Sequence, residues 1–104
     1  MVISEKEKKI LENRQLGIYE SDDFYELEQW TNGGVDMIIN IFKNGSPLKE
    51  QLIAYVDNFD IDEEIDCYRQ DEDYKTMFTI KESLEDFEGW LNYIKSIIDD
   101  LESE

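Results

Sequence analysis

The densest group of side chains that could do chemistry is an acidic run spanning residues 57–73. Within it, nine carboxylates stand against one base, Arg69. Eight of these acids are the candidate partner-binding residues: Asp57, Asp60, Asp62, Glu63, Asp66, Asp71, Glu72 and Asp73. Carboxylates at this density could bind cations, act as acid and base, or meet a basic surface.

The position of some of these acids has a structural explanation. Asp60, Asp62 and Glu63 fall in or before the first turn of a predicted helix, where the helix dipole favours anions by about 0.3–1 kcal/mol each. Asp62 and Asp66 are four residues apart on one helix face and repel each other by roughly 0.2–0.5 kcal/mol. A solvated surface and a recognition surface both remain open interpretations.

Neither metal binding nor catalysis fits the spacing of these residues. A calcium loop needs glycine at its sixth position, whereas loops beginning at Asp57 and Asp60 place Asp62 and Ile65 there. With no histidine and one cysteine, zinc is a poorer fit. No carboxylate pair stands out, and nucleophile–histidine sets and phosphate-binding loops are missing. We therefore predict no catalytic residue, no metal site, no cofactor and no enzymatic activity.

The overall charge narrows the class of partner. Twenty-seven acids and ten bases give a formal net charge of −17, which opposes direct binding to nucleic acid or to an anionic membrane. A basic protein surface, such as one that binds nucleic acid, is the expected partner. A single cysteine, Cys67, suggests a reducing compartment, and no apolar run indicates a signal peptide or a membrane span. We expect a cytoplasmic protein, with Cys67 half-buried.

Two candidate elements carry the clearest periodicity. Apolar residues in the run 83–101 recur at alternating spacings of three and four, which predicts a long helix with Leu91 and Ile94 buried at its centre. Either Thr79 with Glu82, or Ser83, would cap it. Residues 24–30 and 35–42 resemble two strands joined by an Asn32-Gly33 turn. A short helix over residues 24–31 remains the alternative.

The remaining elements complete an α+β fold in one domain of residues 1–104, a small antiparallel sheet packed by about three main helices. A third strand is expected near residues 17–20 or 74–80. Residues 5–14 predict a peripheral or frayed helix capped by Ser4. Ser46 would cap a helix that begins at Pro47 and stops at Asn58, and Asp60 a shorter one. Residues 74–78 form a turn or short helix. One or two exposed aromatic residues beside carboxylates would make recognition anchors.

Three stretches together resemble a group of small acidic proteins carried on phages and conjugative elements of Gram-positive bacteria. They are WTNGGVDMII (residues 30–39), FDIDEEI (residues 59–65) and FTIKES (residues 78–83), and the resemblance spans residues 24–101. It implies a genetic context and no activity. In that context, small acidic proteins are often similar in strategy to anti-restriction and anti-CRISPR inhibitors that imitate DNA.

Two hypotheses for function follow. In the first, an acidic binding protein occupies the nucleic-acid-binding surface of a basic partner as a DNA mimic. In the second, an accessory or structural subunit dimerises or docks through the helix of residues 83–101, and the charge serves only solubility. A monomer and a homodimer are both compatible with the sequence. Steep salt dependence of partner binding would separate the hypotheses.

Overall fold

A computed structural model describes residues 3–30 and 36–103 and has the predicted α+β class. The elements in chain order are helix α1 (Glu5–Asn13), strands β1 (Gly17–Glu20), β2 (Phe24–Trp30) and β3 (Asp36–Phe42), and helices α2 (Leu48–Asn58), α3 (Ile61–Tyr68), α4 (Glu72–Met77) and α5 (Ile80–Glu102). Buried residues from the sheet and from α1, α2, α3 and α5 share one hydrophobic core. No helix in these described ranges combines the length and apolarity needed to cross a bilayer.

The sheet is an antiparallel meander with strand order β1-β2-β3. Leu27 lies opposite Ile39, which confirms the predicted hairpin and excludes the short helix over residues 24–31. The predicted Asn32-Gly33 turn lies outside the described residues. The third strand is β1, which lies at the first of the two expected positions, residues 17–20. The other position, residues 74–80, is mostly helical, because Asp71 caps α4 there.

One sheet face is buried and the other is open, as the period-two alternation of a strand requires. Met37, Ile39 and Ile41 of β3 point into the core with Leu27 of β2. The residues between them point away from the core, and Ile38 is exposed on that side. The open face is therefore available for contact with another molecule.

Helix α5 is the long helix predicted, and Thr79 and Glu82 form its capping box. Its buried stripe differs from the prediction, however. Ile94 is fully buried, whereas Leu91 is only partly buried, so the expectation of a central Leu91 is wrong. The reason is that α1, α2 and α3 contact α5 on the side that carries the following residues: Ser83, Phe87, Trp90, Ile94, Ile97 and Ile98.

Helix α1 has the predicted capping box between Ser4 and Glu7. Leu11 of this helix and Ile3 before it are buried in the core, and the expectation of a peripheral or frayed helix stays a prediction. The helix ends in a Schellman motif, in which Leu16 N–H donates to the Leu11 carbonyl at 3.3 Å. Gln15 occupies the left-handed position of that motif, with a φ of 63°.

Helices α2 and α3 position the acidic residues. Helix α2 stops at Asn58 as predicted, but Pro47 occupies its N-cap position and gives no side-chain cap. The predicted capping role of Ser46 is therefore wrong, because the helix begins one residue later than expected. The side chain of Asp60 does cap α3, accepting from Glu63 N–H at 3.2 Å.

Candidate interaction surfaces

All eight predicted partner-binding acids are exposed, and we call this set the acidic surface. It runs from the last turn of α2 (Asp57) across the first turns of α3 and α4. Two members also stabilise the fold: Asp60 caps α3, and Asp71 caps α4 by accepting from the N–H groups of Asp73 and Tyr74 at 2.9 and 3.2 Å. These caps are the structural share of the acidic run.

Six acids of the surface have no such role. The side chains of Asp57, Asp62, Glu63, Asp66, Glu72 and Asp73 form no hydrogen bond or ion pair with any described residue. Ion pairs lie elsewhere in the described structure, between Arg14 and Asp100 at 2.5 Å and between Lys43 and Glu20 at 2.7 Å. The six carboxylates are therefore uncompensated and open to a partner.

The single base of the acidic run does not neutralise it. Arg69 follows the last turn of α3, and its Nη1 donates a hydrogen bond to the Phe78 carbonyl at 2.8 Å. The guanidinium is thus used to hold the end of α4, where Phe78 is the C-cap. The hydrogen bond of this guanidinium goes to a backbone carbonyl, and not to a carboxylate of the acidic run.

The acids influence one another where one of them is partly buried. Burial, and then the neighbouring carboxylates of Glu63 and Asp60, raise the pKa of Glu64 above its ordinary value.

The next turn of α3 carries Cys67, which is exposed, so the prediction of a half-buried thiol is wrong. This cysteine lies on the solvent side because Ile65, two residues earlier, takes the buried side of the helix.

A second candidate surface is the open side of the sheet, which we call the outer sheet face. Trp30 is 63% exposed, and Tyr19, Phe42 and Ile38 are 55%, 56% and 41% exposed. Large apolar side chains exposed together are typical of interaction sites. Trp30 lies opposite Asp36, so an exposed aromatic residue stands beside a carboxylate on this face.

Carboxylates are also crowded on this face. Glu26 and Glu28 of β2 point to the same side as Trp30. Burial, and then the nearby carboxylate of Asp36, raise the pKa of Glu28 above its ordinary value. The outer sheet face is therefore both apolar and anionic.

A groove of about 730 Å³ separates the free edge of β3 from α2 and α3. Its aromatic lining includes Tyr55, Phe59 and Tyr68, and its acidic lining consists of Asp36, Asp60, Glu63 and Glu64. Tyr55 is fixed by Trp90, whose Nε1–H donates to the tyrosine oxygen at 2.8 Å. Burial is the main cause that raises the pKa of Tyr55 to about 12, so its hydroxyl stays neutral.

The sequence did not reveal this groove, since its walls come from β3 and from two helices that follow it in the chain. The acidic surface and the groove share Asp60 and Glu63. The other members of the acidic surface lie outside the groove. Within residues 3–30 and 36–103, no three Asp, Glu or Cys side chains are grouped as a metal site would need.

Comparison of the chain with protein-family models, with curated proteins and with solved structures found no match. The resemblance to acidic proteins of phages and conjugative elements stays a prediction.

Proposed function

We propose that this protein is a non-enzymatic binding protein whose acidic surface occupies a basic, nucleic-acid-binding surface of a partner protein. The observation that carries the proposal is the uncompensated state of that surface. Six exposed carboxylates lack a partner among the described residues, and Arg69 donates to the Phe78 carbonyl instead. A basic partner would supply the missing positive charge.

The spacing of the acids supports imitation of DNA. Between Asp60 and Asp66 the chain advances six residues, about 9 Å along a helix axis at roughly 1.5 Å per residue. Four exposed acids in that interval give about one charge per 3 Å of axis. One strand of DNA carries one phosphate per roughly 3.4 Å. A surface evolved for a phosphate backbone would therefore meet a similar charge density here.

An inhibitor of this kind acts by competition. While it is bound, the basic surface of the partner is closed to nucleic acid, and no chemical step is required of the inhibitor. Inhibitors of restriction and CRISPR nucleases that imitate DNA use this strategy, and the resemblance to proteins of mobile elements makes such a nuclease the partner class to test first.

The alternative, an accessory subunit that docks through α5, has less support. Phe87, Trp90 and Ile94 of that helix are buried against the chain's own elements. The exposed residues of α5 are mostly polar, including Glu85, Asn92 and Lys95. A partner approaching α5 would thus meet few apolar side chains, so this helix offers little hydrophobic area for docking.

Charge reversal on the acidic surface tests the proposal. The triple variant Asp62→Lys, Asp66→Lys, Asp73→Lys changes three exposed acids that cap no helix. Immobilised wild-type protein should capture a nucleic-acid-binding protein from a Gram-positive bacterial lysate, and duplex DNA should elute it. The triple variant should bind that purified partner at least about tenfold more weakly, because steering and pairing of charge are both lost.

A matched control changes net charge equally on another surface. Glu88→Lys, Asp99→Lys and Glu102→Lys alter three exposed residues of α5, and they spare Asp100, which pairs with Arg14. This control should retain binding within about threefold. Equal weakening by both triples, or failure of duplex DNA to compete, would contradict the DNA-mimic proposal. Melting curves of both variants establish that they fold.

A further inference from the structure

We infer that the open edge of β3, together with the groove beside it, binds an extended basic segment of a partner as a fourth strand of the sheet. The inference rests on the proposed function for the sign of the partner's charge, but it uses a different part of the surface. Strand addition of this kind takes its affinity from backbone hydrogen bonds and its selectivity from alternate side chains.

The backbone of β3 is free on the side away from β2. Lys43 N–H donates to the Asp23 carbonyl at 3.0 Å. Counting back along β3 from Lys43, every second residue therefore has its backbone N–H and C=O groups directed at β2. The N–H and C=O groups of Ile38 and Asn40 consequently turn outward. No hydrogen bond from a described residue reaches the outward backbone groups of these two residues.

Gln51 closes one end of this edge and so defines its length. Its Oε1 accepts from Phe42 N–H at 2.9 Å, and its Nε2 donates to the Phe42 carbonyl at 3.0 Å. The free stretch is therefore residues 36–40, about 17 Å of strand at roughly 3.4 Å per residue. This length accommodates a segment of about five paired residues.

The groove gives the added strand a place for its side chains. Every second side chain of that strand would point toward α2 and α3, where Tyr55, Phe59 and Tyr68 offer aromatic surface. The side chains between them would extend the outer sheet face next to Ile38. An alternating segment fits this arrangement, with apolar residues over the aromatic lining of the groove and basic residues on the outer sheet face, where Asp36, Glu26 and Glu28 lie.

Charge decides which occupant fits. Asp36, Glu26 and Glu28 are the carboxylates of the outer sheet face, on the side where the basic residues of the segment would lie. Asp60, Glu63 and Glu64 add negative charge along the groove, and none of its described lining residues is a lysine or arginine. Oδ1 of Asp36 is buried and accepts no hydrogen bond within the described structure. A basic segment supplies the missing donors. A second copy of this chain fits less well, because its own carboxylates would lie against these carboxylates and repel them.

The test uses a fluorescent peptide of about seven residues that alternates valine and lysine, with its glutamate counterpart as the charge control. Fluorescence anisotropy should show that the protein binds the lysine peptide and not the glutamate peptide. Asn40→Pro removes one outward N–H and no hydrogen bond to β2, because proline is tolerated at such an edge position. It should weaken peptide binding at least about tenfold, whereas Asn40→Ala should stay within about threefold.

A second pair of variants addresses the groove without altering the strand. Ala54 is exposed and lines the groove, so Ala54→Trp should obstruct it and weaken binding. Glu50→Trp places the same side chain on α2 outside the groove and should have little effect. If Asn40→Pro does not fold by circular dichroism, the Ala54 and Glu50 pair decides.

The two proposals fail separately. The triple variant at Asp62, Asp66 and Asp73 lies outside the groove and should bind the peptide nearly as wild type does. Strand addition is overturned if wild type does not bind the lysine peptide, or if the blocking variants bind it as well as their controls. It is also overturned if sedimentation shows a dimer that Asn40→Pro dissociates, because a second copy then occupies the edge. Loss of partner capture by the triple alone would support only the proposed function.

Discussion

The side-chain amide of Gln51 pairs with the backbone of Phe42 as a residue of a neighbouring strand would. Both backbone groups of Phe42 are used, at 2.9 and 3.0 Å, and the same Nε2 donates to the Ser46 carbonyl at 2.6 Å. One side chain thereby fastens β3 to the start of α2. It also terminates the free sheet edge, because the outward groups of Phe42 are no longer available to another strand.

Replacing Gln51 should loosen this end of the sheet. Gln51→Ala removes three hydrogen bonds at an exposed site where water can substitute, so we expect a loss of about 1–2 kcal/mol in the free energy of unfolding. The variant also lengthens the free edge by one outward residue and should bind the valine–lysine peptide more tightly than wild type. Urea denaturation and fluorescence anisotropy provide the two measurements. Gln51→Glu keeps the acceptor for Phe42 N–H, so its free energy of unfolding should fall between those of wild type and Gln51→Ala. An unchanged urea midpoint for Gln51→Ala would contradict this role of Gln51.

The hydrogen bond between Trp90 and Tyr55 ties the groove lining to the core. Trp90 is almost completely buried, and its Nε1–H is directed at the tyrosine oxygen. Tyr55→Phe leaves that N–H without its acceptor and should cost about 1–3 kcal/mol in urea denaturation. Tyr19→Phe removes a hydroxyl from an exposed tyrosine and is the matched control, with no measurable change expected. Equal midpoints for the two variants would mean that the hydrogen bond does not stabilise the groove.

Two truncations test which side of α5 is buried, the point on which the structure differs from the prediction. Ile94 is fully buried, so Ile94→Ala should cost about 2–5 kcal/mol. Leu91 is partly buried, and Leu91→Ala should cost less than half as much, since the removed atoms already contact water. Urea denaturation of the two variants compares them directly. A larger loss for Leu91→Ala would place the stripe where the sequence alone predicts it.

The sequence predicts what depends on local periodicity and capping. The capping boxes at Ser4 and Thr79, the hairpin and the long helix all follow from residues close together in the chain. The buried side of α5 is less determined, because its apolar residues cover more than one face and the neighbouring helices select among them. Ser83 lies on the buried side, where its hydroxyl donates to the Thr79 carbonyl at 3.1 Å and meets the Tyr74 hydroxyl at 2.8 Å.

The candidate site likewise has one part that the sequence predicts and one part that it does not. The acidic surface is exposed as predicted, since charged side chains on short capped helices remain in water. The groove and the strand-like role of Gln51 required the tertiary structure, because they join β3 to α2 and α3. One signal was present in β3, where Met37, Ile38 and Ile39 are apolar in succession. A strand that is apolar on both sides either is buried on both or exposes one apolar face, and packing decides which.

Two carboxylates make stability depend on pH in a definite direction. Burial, followed by the charges of neighbouring acids, raises the pKa of Glu64 and of Glu28 in the folded protein. A raised pKa favours the folded state when the group is protonated, and that contribution is lost as pH rises through the folded pKa. The pKa values of Glu20 and Glu82 are lowered, chiefly by hydrogen bonds to Lys43 and to the Thr79 backbone. Their stabilisation is lost only at more acidic pH, as pH falls through their folded pKa values.

The free energy of unfolding should therefore be higher near pH 5 than at pH 8 in low salt, and moderate salt should raise it at pH 8 by screening the net charge of −17. Glu64→Gln removes one of the raised groups, so it should stabilise the protein at pH 8 by up to about 0.5 kcal/mol and reduce the difference between the two pH values. Urea denaturation at both pH values, with and without salt, measures each effect. Glu85→Gln removes one charge from an exposed position of α5 and is the control for bulk charge. If it reproduces the effect of Glu64→Gln, general repulsion and not the local crowding around Glu64 governs the pH dependence.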